Sequence, residues 1–462
     1  MKLEKEPVFL PASFKDKCLH LFKLIKDAGG KPHLVGGSVR DALLGEPVKD
    51  VDIEVFGLEI RKLENLLSDH YSVDEVGKAF SVFKIRGIAI DISLPRRESK
   101  SGKGHKGFEI EGDPNMGPKE AAGRRDFTVN AISWDPIENR IFDPFDGLKD
   151  LEMGILRHTT EKFVEDPLRV LRAMQLAARF RFQVSADTVE LCRHIEPEDL
   201  PPERVFEEFR KLLLKGREIS TGLDFLRSCD WLKDFPELNL LVGCKQEPEW
   251  HPEGDVWTHT LHCMDAFAEE RTGDDWEDLV VGFATLCHDL GKPLTTVFES
   301  GRIRSPRHES AGEVPTRSFL QRMTQHKELI DSVIPLVSTH LRPLELYRSK
   351  AGDSAIRRLA RKVKRIDRLV RVAQADMKGR PPLKVDRFDA GEWLISRAEA
   401  LAVIDSAPKP IVLGRHLIKL GQEPGPSFGP LLAQCYEAQL DGEFTDLPSG
   451  MKTLQRILSE KK

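Results

Sequence analysis

The chain is 462 residues long, with 40% hydrophobic and 31% charged residues, which leaves room for about three domains at roughly 150 residues each and excludes wholesale disorder. Its formal net charge is −5, so a nucleic-acid partner has to be held by local basic patches rather than by a basic chain. No apolar run approaches the ~20 residues that cross a bilayer, and the start, MKLEKEPVFLPASFK, lacks the apolar stretch of a signal peptide.

In chain order, residues 1–30 read as a lead-in helix, with Leu19, Phe22 and Ile25 at helical spacing and Gly29-Gly30 as a stop. Residues 31–145 are the strand-rich part: HLVGG, VDIEVFG, SVFKIRG and IAIDIS are short β-branched or aromatic runs punctuated by glycine. Within them, residues 99–123 are rich in Gly, Lys and Pro and read as a mobile loop. From about Glu165 helical periodicity takes over, with seams at residues 196–202, 247–252 and 379–382. The picture is α+β, a small mixed sheet followed by a long all-helical remainder. The seven cysteines, an odd number without a C-x-x-C pair, imply neither a disulfide framework nor a zinc ribbon and fit a reduced, cytoplasmic setting. No membrane and no protein partner is implied.

Residues 34–57 read LVGGSVRDALLGEPVKDVDIEVFG. A strand, a Gly36-Gly37 turn and a helix start suit a phosphate, because backbone N–H groups can approach it closely; such turns also serve as plain strand–helix connections. Asp50, Asp52 and Glu54 then alternate with Val51, Ile53 and Val55, which puts the acids on one face. Adjacent carboxylates repel unless a cation lies between them, and Mg2+ is the usual one, shared with substrate phosphates. Two such ions could activate an attacking hydroxyl and neutralise a leaving pyrophosphate. The plainer alternative is the solvated face of an edge strand. Asp91, opposite Ile88, Ile90 and Ile92, either completes this acidic group or faces solvent.

These segments, VGGSVRDALLG followed by KDVDIEVFG, resemble the head of the class II tRNA nucleotidyltransferase and bacterial poly(A) polymerase family, within the polymerase β-like nucleotidyltransferase superfamily. The resemblance covers at least residues 33–185. It implies Gly36, Gly37 and Arg40 at a triphosphate, and Asp50 and Asp52 as ligands of Mg2+, with Asp91 as a candidate third catalytic acid. RRDFTVNAI resembles the family's next motif and implies a triphosphate or ribose contact for Arg125. The family has a flexible loop where residues 99–123 lie, associated with adding the terminal A.

Residues 165–180, EDPLRVLRAMQLAARF, read as a helix with Leu168, Leu171, Met174 and Ala178 as its apolar stripe. From spacing alone Asp166 before Pro167 is an N-cap, and Arg169 and Arg172 an exposed ladder. A second reading concerns bases. Cytosine and adenine both present an amine beside a ring-nitrogen acceptor, which one carboxylate and one guanidinium can satisfy together. Guanine and uracil present the reverse order and leave both groups unpaired, at ~1–3 kcal/mol for each buried polar group. The resemblance assigns this role to Asp166 and Arg169, and a further nucleotide contact to Arg172.

Further along, His259 and His262 lie three residues apart in DVWTHTLHCMDA, and His288-Asp289 closes the apolar run 279–287. An aspartate there is costly unless paired or metal-bound. His308 and His340 follow. Asp376 extends by one turn an inward stripe of Ile356, Leu359, Val363, Ile366, Val370 and Ala373, and an acid on an apolar face wants a cation. The order H…HD…H…H…D resembles the HD metal-dependent phosphohydrolase family. It implies a second divalent-metal site (Mn, Ni, Fe or Mg) made by His259, His288, Asp289, His308, His340 and Asp376, suited to hydrolysing phosphate esters. His262, off the pattern, reads as structural.

The same region has a basic face, Arg357, Arg358, Arg361, Lys362, Lys364, Arg365, Arg368 and Arg371 set against Asp367. It is either solvated or an RNA-backbone contact. The tail after Pro382 resembles a C-terminal helical piece of some bacterial tRNA nucleotidyltransferases. The expected architecture is therefore a nucleotidyltransferase head (1–150), an elongated all-α neck (151–245), an HD body (246–380) and a helical tail (381–462). The expected function is template-independent addition of CCA to tRNA 3′ ends from CTP and ATP, with a phosphatase or 2′,3′-cyclic phosphodiesterase activity in the HD part. The alternatives are A-only or CC-only addition, a poly(A) polymerase, and an HD hydrolase with a nucleotide-sensing head.

Overall fold

The computed structural model describes residues 7–76, 82–100, 108–197, 200–383 and 387–460. The chain divides into two compact units, Met1–Asp234 and Phe235–Lys462.

The first unit is built on a seven-stranded mixed sheet. Its strands are β1 (Lys31–Val35), β2 (Val51–Phe56), β3 (Val73–Val76), β4 (Val82–Ile85) and β5 (Ile90–Ser93), followed by Ser133–Asp135 and Arg140–Phe142. The order is β3-β4-β5-β2-β1 and then the last two strands. β2 and β5 run parallel; the other neighbours are antiparallel. The alternation in VDIEVF buries Val51, Ile53 and Val55 completely, which turns Asp52 to the other face. Helix α1 (Lys15–Asp27) buries Cys18, Leu21, Phe22 and Ile25. Leu19, expected on the inner stripe, is 46% exposed: the i, i+3, i+4, i+7 face begins at Cys18, and Leu19 lies about 100° round from it.

The expected loop at 99–123 is partly ordered into elements. Arg96–Lys100 and Phe108–Gly112 pair as an antiparallel hairpin, and Pro118–Ala122 is a short helix; residues 101–107 of that loop lie outside the described residues. The alternation in FEIEG is a strand signal that glycine and lysine content obscures. The helix Leu168–Phe180 buries Leu168, Leu171, Met174 and Ala178 as expected. It packs against Pro202–Lys215 and Ile219–Ser228, the second of which comes close because Gly222 lies against the Met174 carbonyl.

The second unit is helical, with one short hairpin, Val297–Glu299 and Arg302–Arg304. Helices Val256–Glu269, Asp275–Cys287, Lys327–Val337 and Ile366–Lys378 pack on one another. The inward stripe from Ile356 to Asp376 is carried by two helices, Asp353–Val363 and Ile366–Lys378, broken where Lys364 turns to φ +61°. Both pieces still bury their apolar residues. The tail helices Gly414–Lys419, Phe428–Asp441 and Leu447–Ser459 enclose their own cluster, including Leu417, Leu431, Cys435, Phe444 and Leu454.

The basic face is neutralised within this unit. Arg368 grips Glu277 with Nε and Nη2 at 2.6 and 2.7 Å, Arg371 meets Asp278 at 2.5 Å, and Arg358 meets Asp441 at 2.6 Å. Arg361 pairs with Glu437. Much of the charge read as a free surface is thus an internal helix–helix joint. All seven cysteines are free. No helix of the described residues is long and apolar enough to cross a membrane.

Candidate functional site

In the first unit Asp52, the glycine turn and a set of cations meet at one cavity of about 260 Å3, which Asp50 and Asp91 do not line. Gly36 stands before helix α2 (Gly37–Leu43) at φ +74°. A Cβ there would meet the Arg125 guanidinium at 2.8 Å and have Asp52 Oδ2 at 3.7 Å, so the glycine leaves both groups open to the cavity. Strand register sets Asp52 beside Asp91 and Asp91 beside Lys84, whose amine is 3.0 Å away. Burial pushes the Asp52 carboxyl up to about 6, against the pull of Arg125 and with Asp50 and Asp91 adding to the rise. Among the described residues Asp50, Asp52 and Asp91 do not close into a three-ligand group. Glu54, read as the third acid of the face, is buried and lies 3.9 Å from Arg125; it serves as that cation's counter-charge.

Six cations line the cavity, Arg40, Arg125, Arg172, Arg179, Lys211 and Lys215, against two acids, Asp52 and Asp126. Arg40 is fixed: it donates to Asn130 Oδ1 at 2.6 Å and to Asp41 Oδ1 at 2.9 and 2.6 Å, and lies over the Phe180 ring. Arg179 shares Asp41 at 2.9 Å and the same ring. Arg172 donates to Asp126 Oδ2 at 2.7 Å. Burial alone would raise the Asp126 carboxyl; Arg172, Asn130 and Arg169 override it and hold it below the ordinary range. Burial, with Arg179, Lys211, Arg210 and Lys49 nearby, holds the Lys215 amine below its usual value. So crowded a set of cations lacks a polyanion.

The expected base-reading pair is engaged locally. Asp166 Oδ1 accepts the Leu168 N–H at 3.1 Å, a capping bond, and Oδ2 accepts from Arg204 at 3.1 Å. Arg169 donates to the carbonyls of Lys162 and Arg124 at 2.8 and 2.9 Å. Neither residue lines the cavity, whereas Arg172, one turn on, does.

In the second unit the six expected donors come together and are buried. Each histidine places Nδ1 against a backbone carbonyl: His259 on Gly379 at 3.0 Å, His288 on Thr285 at 2.7 Å, His308 on Ser305 and His340 on Val337, both at 2.8 Å. With Nδ1–H donating, Nε2 is the nitrogen left for a metal or a second proton. These Nε2 atoms face each other, His259 to His288 and His308 to His340, both at 3.4 Å. Two acceptors do not approach so closely without a proton or a metal between them. Asp289 stands between the two groups, with Oδ2 3.2 Å from His288 Nε2 and Oδ1 3.4 Å from His308 Nε2. Its buried oxygens make no directed hydrogen bond, and Lys292 is 2.7 Å away. Asp376 Oδ1 is 3.1 Å from His259 Nε2 and 2.6 Å from Arg380. Burial and its neighbours His288 and His308 push His340 down to about 3. Burial also opposes charge on His288, but Asp289 outweighs it and holds that ring up at about 10. Three candidate metal-ligating groups result among the described residues: His259, Cys263, His288 and Asp376; Asp289, His308 and His340; and His251, Glu253 and His259. His262 joins none of them.

Residues 32–157 match the family model of the poly A polymerase head domain, and residues 256–372 that of the HD domain. A multifunctional CCA protein of Xylella fastidiosa (strain 9a5c) is 35% identical over 388 residues, 81% of this chain and 90% of that protein. One from Xanthomonas euvesicatoria pv. vesicatoria is 37% identical over 386 residues, 81% of this chain and 91% of its own. The chain belongs to the multifunctional CCA protein family. Its fold is that of the Bacillus stearothermophilus CCA-adding enzyme solved with CTP, at a TM-score of 0.66 and 21% identity over 98% of this chain and 100% of that one. It is also that of the Thermotoga maritima CCA-adding enzyme solved with tRNA, at 0.58 and 21% over 96% of both chains.

Several members of both sites escaped the sequence reading, although each carries a local signal. Asp126 and Asn130 lie four residues apart within RRDFTVN; Arg179 shares a helix face with the expected Arg172 at i, i+7, and Lys211 and Lys215 stand at i, i+4. Lys292 follows Asp289 by three residues, and Arg380 follows Asp376 by four. Glu253 Oε1 lies 2.8 Å from Nδ1 of both His251 and His259, a carboxylate–histidine arrangement that aims the His259 ring.

Proposed function

We propose that the first unit adds CCA to the 3′ end of tRNA from CTP and ATP, without a nucleic-acid template and with release of pyrophosphate. The observation that carries it is the cavity in which Asp52 and the Gly36 turn face six cations. Asp50 and Asp52, with Asp91 beside them, would hold Mg2+; burial, with the repulsion of Asp50 and Asp91, raises the Asp52 carboxyl, and an ion between the acids would relieve that repulsion. When bound, that ion supplies charge neutralisation at the reacting phosphate and acidifies the attacking hydroxyl. The protein's own part is electrostatic and positional. Arg40, held by Asn130 and Asp41, and Arg125, packed at Gly36, bind and orient the triphosphate; Arg179, Lys211 and Lys215 spread the charge of the departing pyrophosphate.

Base choice falls to Asp166 and Arg169, with Arg172 as a neighbouring contact. To read a base edge, Asp166 Oδ2 exchanges Arg204 for the exocyclic amine, and Arg169 releases the carbonyls of Lys162 and Arg124. CTP and ATP satisfy that pair; GTP and UTP leave it unpaired. The test is stepwise incorporation on tRNAs ending before CCA, at C and at CC, with each triphosphate alone and together. Completion to a single terminal A supports the reading. An unlimited A run makes the protein a poly(A) polymerase, and a stop at CC or a start only at CC makes it a partial enzyme.

The second unit, in this reading, hydrolyses phosphate esters at its histidine–aspartate cluster, as a phosphatase or a 2′,3′-cyclic phosphodiesterase that trims damaged 3′ ends. The paired Nε2 atoms, and Asp289 between them with no directed hydrogen bond beyond its ion pair to Lys292, fit a divalent metal there. Equal hydrolysis of a 2′,3′-cyclic phosphate by metal-loaded parent and His288→Ala proteins contradicts it. The division into head 1–150, neck 151–245, HD body 246–380 and tail 381–462, and a cytoplasmic setting favoured by seven free cysteines, belong to the same reading.

A further inference from the structure

The second unit's cluster holds a donor that neither the motif order nor the proposed hydrolysis uses. Cys263 lies one helical turn after His259 on Val256–Glu269, so both side chains leave the same face. It is fully buried. Its Sγ is 3.4 Å from His259 Nε2, and the donor atoms of His259, Cys263, His288 and Asp376 all lie within 4.8 Å of one another. We propose that Cys263 is a thiolate ligand of this centre, which makes it a mixed nitrogen, oxygen and sulfur site for a thiophilic divalent ion rather than for Mg2+.

The three edges at His259 are close to those of ligands around one ion. Bonds of ~2.0–2.1 Å to nitrogen and ~2.3 Å to sulfur, at tetrahedral angles, give donor–donor edges of roughly 3.4 Å between two nitrogens and about 3.5 Å between nitrogen and sulfur. The His259–His288 edge is 3.4 Å and the Cys263–His259 edge 3.4 Å; the His259–Asp376 edge is 3.1 Å. A buried cysteine is more often a small apolar filler. Against that reading, Cys263 touches imidazole, and none of the other six cysteines joins a donor cluster among the described residues. Beside this group Asp289, 3.2 Å from His288 Nε2 and paired with Lys292 at 2.7 Å, still keeps both buried oxygens without a directed hydrogen bond, which leaves it able to take part in holding an ion. Sulfur changes the choice of metal: thiolate favours Zn2+, Co2+ or Ni2+ over hard, oxygen-seeking Mg2+. The binding step balances as Cys263 Sγ–H plus M2+ giving Sγ–M and one proton released to solvent.

The proposal rests on the reading that this cluster holds a metal, and cobalt separates the two. Co2+ is titrated into the metal-free full-length protein while absorption and proton release are recorded. Visible d–d bands report cobalt held by the histidines and aspartates. A near-ultraviolet thiolate-to-cobalt band reports sulfur. The parent is expected to show both, undiminished by excess Mg2+. Cys263→Ser and Cys263→Ala are expected to keep visible bands, lose the near-ultraviolet band and release one proton fewer per cobalt. Visible bands without the near-ultraviolet band in the parent overturn the thiolate ligand and leave the metal site standing. A near-ultraviolet band that persists in both variants also overturns it. No cobalt absorption at all removes the metal reading and this proposal with it. The parent spectrum decides even if a variant does not fold.

Discussion

Replacing Asp126 with alanine asks whether the cationic cavity is held together from within. Asp126 Oδ1 accepts the Phe127 N–H at 2.9 Å and the Asn130 amide at 2.8 Å, while Oδ2 faces Arg172 at 2.7 and 2.6 Å. Asn130 in turn accepts from Arg40, so one carboxylate aligns two cations. Removing one partner of a buried ion pair costs about 3–5 kcal/mol. The Asp126 side chain is 5% exposed but that of Arg172 is 35% exposed; water recovers part of the loss, and the lower end, about 3 kcal/mol, applies. At ~1.4 kcal/mol per decade that is roughly two decades in the local opening equilibrium. Hydrogen exchange read by mass spectrometry should show it in peptides covering residues 124–132 and 168–180, with peptides beyond Phe235 unchanged. The pH dependence has a definite sign. A carboxyl depressed in the folded state gives its full stabilisation above the ordinary carboxylate value and loses it as pH falls through the lower folded value. Protection of these peptides in the parent should therefore drop only in strong acid, and the Asp126→Ala protein should lack that drop. Unchanged exchange at 124–132, or an equal rise in both units, refutes the reasoning.

Lys215→Met removes one cation from the cavity wall; a charged contact of ~1.5–3 kcal/mol corresponds to a KM for CTP and ATP raised by about 10- to 150-fold, and an unchanged KM rejects Lys215 as a phosphate contact. Arg368→Ala breaks the forked grip on Glu277 and should lower the denaturation midpoint of the second unit while leaving tRNA affinity and its salt dependence alone. A salt slope reduced by about 1 would return this arginine to RNA binding. Leu454→Ala, in the core of the tail, should cost about 2–5 kcal/mol, seen as raised exchange across Leu447–Ser459; exchange equal to the parent's would show that the cluster does not hold the tail.

What the sequence made legible was local. Period-two alternation in VDIEVF set which face carries Asp52, and the glycine turn lay where the cavity opens. The order of histidines and aspartates marked six buried donors: His259 and Asp376 on helices, His308 at a helix start, and His288, Asp289 and His340 in turns that follow apolar helices. Assembly over distance was not legible. The basic residues from Arg357 to Arg371 read as an open surface because the acids that answer them, Glu277, Asp278, Glu437 and Asp441, lie far along the chain. The break at Lys364 has neither glycine nor proline to announce it, and Asp166 serves as the cap its spacing suggests while a base-reading role asks it to change partners. Cys263 carries no signal of its own in the sequence, since only the folded helix bundle brings His288 and Asp376 to it.

The central claim, that Asp52 works at the reacting phosphate inside the cationic cavity, is tested most directly by Asp52→Asn in a single-turnover assay. The substrate is tRNA lacking its CCA end, supplied with radiolabelled CTP and ATP in the presence of Mg2+. The account predicts that incorporation is abolished while equilibrium binding of CTP and ATP persists, because the cations that hold the triphosphate are untouched. Incorporation by Asp52→Asn at the parent rate would contradict it.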